Sequence, residues 1–226
     1  DASYRQMGLH TVAAVKRWSM PSGALVSDEC VRCTPNPWKV GYEYCAMFEQ
    51  EFTYIQAGQK TGDAAHYDDI EHLWFNAMQG SREPDGSAIL YCSDENRPSV
   101  QNGHGGRERY TPTGQHVAVC CNPNSTRVAA YYIASSWLKP AGNEPAIAAV
   151  LYGPCELETD IDGTPVRVEE TTSYPYSGNV LLTLLPLGPR ASFVVMLSIP
   201  PSLAIAVTLL DLSGFSINQL SIVGFG

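Results

Sequence analysis

The sequence predicts an α + β chain with a helical part over residues 1–142 and an antiparallel β-sandwich over residues 143–226. Three observations carry that reading. Apolar residues recur at helical spacing before residue 142, as in Met47, Phe48, Phe52 and Ile55. After Lys139-Pro140-Ala141-Gly142-Asn143 the spacing drops to two, as in Val166-Arg167-Val168-Glu169. Turn signals then punctuate the chain at Asp162-Gly163, Ser177-Gly178-Asn179, Leu187-Gly188-Pro189 and Ser213-Gly214.

Taken in order, residues 4–20 place Val12, Val15 and Trp18 on one face and read as a helix ended by Pro21. A loop rich in Pro, Gly and Cys follows over 22–41. From Glu43 a second helix carries the Met47/Phe48/Phe52/Ile55 stripe and is expected to stop at Gly58. Thr61-Gly62-Asp63 caps a third helix with Ile70, Leu73, Trp74 and Ala77 on its apolar face, stopped by Gly80. A strand is expected over 88–91. The polar stretch 93–114 reads either as a solvated loop or as the rim of a site. A fourth helix over about 125–137 presents Val128, Tyr131, Tyr132 and Ala134, and the strand candidates 166–169, 180–185 and 193–199 build the sandwich.

Composition narrows the function. A formal charge of −9 with no Lys/Arg run longer than a pair argues against nucleic acid and an anionic membrane surface as partners. Twelve Tyr and four Trp on an acidic chain fit a neutral polar ligand such as a sugar. The seven cysteines, at 30, 33, 45, 92, 120, 121 and 155, are odd in number and irregularly spaced. That pattern favours reduced thiols with metal or catalytic duty, hence the cytoplasm, with secretion as the other option. The start DASYRQMGLH has no basic-then-apolar leader. The uncharged run 191–210 contains Pro200-Pro201 and reads as two buried strands rather than a membrane span. The sequon at Asn124-Ser125-Thr126 reads as a helix opening rather than a glycosylation site.

The chemistry centres on Cys120-Cys121. Adjacent cysteines rarely bond to each other without backbone strain. They serve either as small buried hydrophobes or as two thiolates on one metal ion. Glu43-Tyr44-Cys45 adds a carboxylate and a third sulfur where a loop enters a helix, and the set Glu43, Cys45, Cys120, Cys121 matches what tetrahedral zinc accepts. Two plainer readings stand beside it. Cys30 and Cys33 could join Cys120 and Cys121 in a four-sulfur structural site, and Glu43 could simply complement a helix dipole. Asp28 and Glu29 lie upstream on a loop, and Tyr91 ends a strand that would face the same cavity. His116, close before Cys120, is the one histidine singled out. His66, His72 and His104 read as surface or satisfied core groups, Cys92 and Cys155 as inert, and Glu71 and Asn76 as locks between a helix and a neighbouring loop.

The series Glu43-Tyr44-Cys45, Thr61-Gly62-Asp63, Ile70 to Ala77 (IEHLWFNA), a Tyr-bearing strand, Cys120 to Asn124 (CCNPN) and Thr172-Ser173-Tyr174-Pro175 resembles glycoside hydrolase family 127. That family is typified by retaining β-L-arabinofuranosidases with an (α/α)6 barrel and β-sandwich domains. The resemblance implies that residues 1–142 are the C-terminal part of such a barrel, in a divergent and N-terminally incomplete member. Another chain or an oligomer would then complete the barrel. It further implies zinc on Glu43, Cys45, Cys120 and Cys121, with Cys120 as nucleophile. Glu29 would be the acid/base, with Asp28 as its rival, and Tyr91, His116 and Asp28 would face a carbohydrate substrate. The alternative is a non-catalytic carbohydrate-binding or scaffold protein with a structural zinc site.

Overall fold

The computed structural model describes residues 2–27, 41–87, 89–95, 109–110, 120–142 and 145–186. The chain is a mixture of helices and small antiparallel sheets, divided into two compact units, Asp1–Gly153 and Pro154–Gly226. The first unit holds α1 (Ala2–Arg17), α2 (Tyr44–Thr61), α3 (Ala65–Leu73) and α4 (Cys121–Ala134). Three short antiparallel pairs join it: β1 (Tyr42–Glu43) with β3 (Cys92–Ser93), β2 (Ile89–Leu90) with β4 (Arg109–Tyr110), and β5 (Trp137–Leu138) with β6 (Ala148–Ala149).

Helix α2 is the hub, packing on α1, α3 and α4. Its apolar spacing buries Met47, Phe48, Tyr54 and Ile55, while Phe52, expected in the same stripe, stays 37 % exposed at its edge. The helix also runs past Gly58. A Cβ there would come within 2.7 Å of the Tyr67 ring, so this glycine marks a close approach between α2 and α3 rather than a stop. The stop is Gly62, whose φ of +71° is the left-handed cap and whose N–H donates to the Gly58 carbonyl at 2.8 Å.

The entry to α3 is fixed by Asp63, whose Oδ1 accepts the Ala65 N–H at 3.0 Å. Ile70, Leu73 and Ala77 are buried as expected. The end of this helix differs from expectation, because Trp74–Met78 widens into a π-helical turn. There Trp74 stacks on Tyr132 of α4 with ring centroids 5.0 Å apart. Glu71 works as the expected lock, its Oε1 accepting from the Tyr152 N–H at 3.0 Å and the Tyr132 hydroxyl at 3.4 Å. Asn76 does not; its amide donates back to the His72 carbonyl of its own helix at 2.7 Å. Gln50 ties the loop after α1 to α2, accepting from the Leu25 N–H and donating to the Gly23 carbonyl, both at 2.8 Å.

The second unit is described as far as residue 186 and is one antiparallel sheet of order β7-β8-β9: β7 (Cys155–Ile161), β8 (Thr164–Thr172) and β9 (Val180–Pro186). Asp162 and Gly163, with φ of 51° and 74°, form the tight turn that joins the first two strands. Alternate residues Val166, Val168 and Glu170 of β8 are buried, the period-two pattern of a sheet with one covered face. The strand candidate 193–199 and the apolar run 191–210 lie outside the described residues. Among the described residues no helix is long and apolar enough to cross a membrane.

Candidate metal centre

Strand β1 runs directly into α2, and this junction sets the first two donors. Opposite β1, Cys92 of β3 pairs with Glu43, and the Tyr44 N–H donates to the Tyr91 carbonyl at 2.9 Å. Glu43 occupies the cap position of α2 in an extended conformation, yet its side chain makes no capping hydrogen bond. The carboxylate turns instead to Cys121, whose Sγ lies 3.8 Å from Glu43 Oε1. Cys45 follows in the first turn of α2.

The other two donors come from the start of α4. Cys120 immediately precedes the helix, with its carbonyl accepting the Asn124 N–H at 3.0 Å, and Cys121 is the first helical residue. Packing of α4 on α2 brings the two helix starts together, so that Cys45 Sγ and Cys121 Sγ are 3.2 Å apart. One ligand atom each from Glu43, Cys45, Cys120 and Cys121 lies within 4.8 Å of all the others. The donor chemistry, three sulfurs and one carboxylate, fits a tetrahedral zinc ion.

Burial grades the four groups. Glu43 and Cys121 are buried, Cys45 is half-buried and Cys120 is exposed. The Cys121 hydrogen bond, with help from Asn124 and against the effect of burial, brings the Cys45 thiol down to about 7. The same contact pushes Cys121 upward, while Cys120 is raised first by burial and then by Cys45. Of these three thiols, Cys45 is the one whose surroundings favour ionisation.

Asn124 is a participant that sequence reading assigned only to a helix opening. Its Nδ2 donates to Cys45 Sγ at 3.3 Å, and its Oδ1 accepts from Arg127 Nη1 at 3.2 Å. Arg127 is held in turn with its guanidinium 4.4 Å above the Phe48 ring. This chain of contacts fixes which end of the amide faces the sulfur. The available signal was the helical spacing from Cys121 to Asn124, which puts both on adjoining turns of α4.

Tyr91 is 4 % exposed and belongs to the hydrophobic cluster behind the centre, together with Tyr44, Met47, Cys92 and Val128. Cys92 is fully buried there. Cys155, in the second unit, donates to Glu170 Oε2 at 3.8 Å. His66 is buried and among the described residues its Nδ1 has no hydrogen-bond partner, unlike the surface or satisfied core group expected. Asp28, Glu29, Cys30, Cys33, His104 and His116 lie outside the described residues. Ser27, the described residue just before Asp28, is bridged in parallel to Tyr42, and its N–H donates to the Gly41 carbonyl at 3.0 Å. The chain therefore passes beside β1 one residue before Asp28.

No protein-family model matches this chain, and no curated protein sequence does. Solved structures do. A GH127 β-L-arabinofuranosidase from Geobacillus stearothermophilus T6 superposes with a TM-score of 0.62 at 22 % identity, over 77 % of this chain and 28 % of its own. A GH127 β-arabinofuranosidase gives 0.59 at 19 % identity, over 75 % and 26 %. A third protein, described as a glycoside hydrolase, gives 0.52 at 23 % identity, over 65 % and 24 %. This chain spans about a quarter of the length of those proteins, and its likeness to them is a likeness of fold.

Proposed function

We propose that the chain carries the active centre of a retaining glycoside hydrolase that acts on β-L-arabinofuranosides or similar sugars. The observation that carries this reading is the convergence of Glu43, Cys45, Cys120 and Cys121 within 4.8 Å, on a fold shared with GH127 arabinofuranosidases. These four residues would hold zinc. A bound zinc ion supplies positive charge that keeps coordinated thiols ionised at neutral pH without a neighbouring base.

Cys120, the most exposed of the four, is the nucleophile in this reading. Its sulfur attacks the anomeric carbon, forming a C–S bond as the glycosidic C–O bond breaks, and the Glu29 carboxyl gives its proton to the departing oxygen. Glu29, now a carboxylate, takes a proton from water as that water's oxygen attacks the same carbon and releases the thiolate. Two displacements retain the configuration, with a thiolate in the place of the usual second carboxylate. Asp28 is the rival for the acid/base role. Asp28 and His116 are the sugar-facing residues in this reading, while Tyr91, buried in the cluster behind the centre, backs the site rather than lining it. Ser27, which directly precedes Asp28 in the chain, is bridged to Tyr42 of β1, the strand that carries Glu43.

One observation favours a second reading, a scaffold with a purely structural zinc. Cys121 is fully buried and packs into the same cluster as Tyr44 and Met47, so the centre is continuous with the core. The deciding assay is zinc-loaded protein on an aryl β-L-arabinofuranoside. Turnover by the native chain that is lost in both Cys120→Ser and Glu29→Gln supports the hydrolase. Sugar binding without turnover, together with a lower Tm in Cys120→Ser, supports the scaffold.

A further inference from the structure

We infer that Cys45 and Cys121 are a thiol–disulfide pair, oxidised by hydroperoxides to an intramolecular bond that ties α2 to α4 and removes two donors from the metal centre. The second half rests on the zinc reading above; the first does not.

Geometry selects the pair. Their sulfurs stand 3.2 Å apart, against about 2.05 Å in a disulfide, so roughly 1 Å of approach closes the bond. They belong to different helices, which frees them from the neighbouring-residue strain that disfavours a Cys120–Cys121 bond. Access is divided between them in a way that suits the chemistry. Cys45 is half-buried, open to a small oxidant, and accepts a hydrogen bond from Asn124 at 3.3 Å. Cys121 is fully buried beside it, sheltered from bulk oxidant. Of the other described cysteines, Cys120 stands within 4.8 Å of both and is the competing partner, Cys92 is buried in the core and Cys155 lies in the second unit.

The reaction balances in two steps. The Cys45 thiol takes one oxygen from the hydroperoxide, giving a sulfenic acid and, from hydrogen peroxide, one water. The Cys121 sulfur then attacks the Cys45 sulfur, the S–O bond breaks, and the hydroxyl leaves with the Cys121 proton as a second water. Both sulfurs are oxidised and both peroxide oxygens are reduced. A thiol reductant reverses the change. The centre would then respond to oxidant by releasing its metal, since neither sulfur of a disulfide remains a thiolate ligand.

The test uses the whole chain and hydrogen peroxide. Metal is removed with a chelator, the protein is treated with peroxide, free thiols are alkylated, and unreduced peptides are mapped by mass spectrometry. The expected product is one cross-linked peptide joining Cys45 to Cys121, lighter by two hydrogens and reversed by dithiothreitol. Zinc uptake is lost on oxidation and restored on reduction, and zinc loaded beforehand slows the cross-link. In Cys121→Ser, Cys45 is expected to proceed to the sulfinic acid. Recovery of Cys45 and Cys121 as alkylated thiols, or Cys45 joined to Cys120 instead, overturns the pair. The peptide map of the native chain decides this even where the variant fails to fold. A cross-link in a protein that never takes up zinc leaves the pair standing and sinks the metal reading alone.

Discussion

Glu43 and Glu51 stand at the start and the middle of the same segment, both shut away from solvent, yet their surroundings are opposite. Glu43 stands among three sulfurs with which it could share a metal ion, and one of them, Cys121 Sγ, lies 3.8 Å from its Oε1. Glu51 has no exposed surface, and among the described residues neither of its carboxylate oxygens has a hydrogen-bond partner. Its neighbour Gln50 is nearly as buried but bonds to Leu25, Gly23, Ser19 and Tyr54. An ionised carboxylate without a partner is costly to bury, so Glu51 keeps its proton, and burial raises its pKa from the ordinary 4.5 to about 8. Burial alone therefore does not mark a functional acid. What marks Glu43 is the company of other donors.

The largest effect expected from this contrast is on metal content when each carboxylate is removed. Glu43→Ala and Cys121→Ala are expected to reduce zinc, by elemental analysis, from one per chain to none, because each deletes a donor from a four-donor set. Glu51→Gln should retain the full complement. Zinc lost with Glu51 and kept without Glu43 would reverse the assignment of the two residues.

A smaller effect concerns the unpartnered carboxyl. A group whose folded pKa is raised binds its proton more tightly in the native state, so stability is full below the unfolded value and falls as pH rises toward the folded one. For Glu51 that window runs from 4.5 to about 8. Within it the slope reaches at most roughly 1.4 kcal/mol per pH unit. Urea unfolding of the metal-free chain should therefore show declining stability across the window, and a flatter profile in Glu51→Gln. Identical slopes in the two proteins would mean that Glu51 is ionised in the native state. Glu51→Leu, which removes the unpaired polar group, should be the more stable protein at pH 9 by about 1–3 kcal/mol.

How much of this is legible in the sequence follows the same division. The helical spacing exposes the buried faces of α2, α3 and α4, and Glu-x-Cys with Cys-Cys exposes the centre, because both are patterns within single segments. The features that the sequence hides depend on what another segment brings. Gly58 looks like a stop until the Tyr67 ring arrives from α3 to occupy the space a side chain would need. Glu51 carries no mark in its own segment of being buried, since its enclosure depends on what packs around α2. Asn124 looks like a sequon residue until Cys45 is placed beside it and Arg127 settles on Phe48. The π turn at Trp74–Met78 has no periodic signature at all.

Asn124 supplies the next effect in size. Its amide donates to the sulfur of Cys45, a proposed ligand, without itself being one, and loss of such contacts typically weakens metal binding by about ten- to a hundredfold. Competition titration with a zinc chelator on Asn124→Ala should find that loss with the one-to-one stoichiometry kept. Wild-type affinity would mean that the hydrogen bond to Cys45 has no influence on the centre.

Glu49 is the control that decides whether the Glu51 effect rests on burial or merely on position. It is a carboxylate on the same helix, close in sequence, and it faces solvent. Its Glu49→Gln variant exchanges the same atoms as Glu51→Gln while leaving the desolvation of the core untouched. The change in unfolding free energy should stay within about 0.5 kcal/mol, and its pH profile should track the native one. If Glu49→Gln flattened that profile as much as Glu51→Gln, the pH response would belong to the overall charge of α2, and the buried carboxyl would lose its special standing. If only Glu51→Gln flattens it, the missing partner is the cause, and the contrast with Glu43 holds on the energy scale as well as in the geometry.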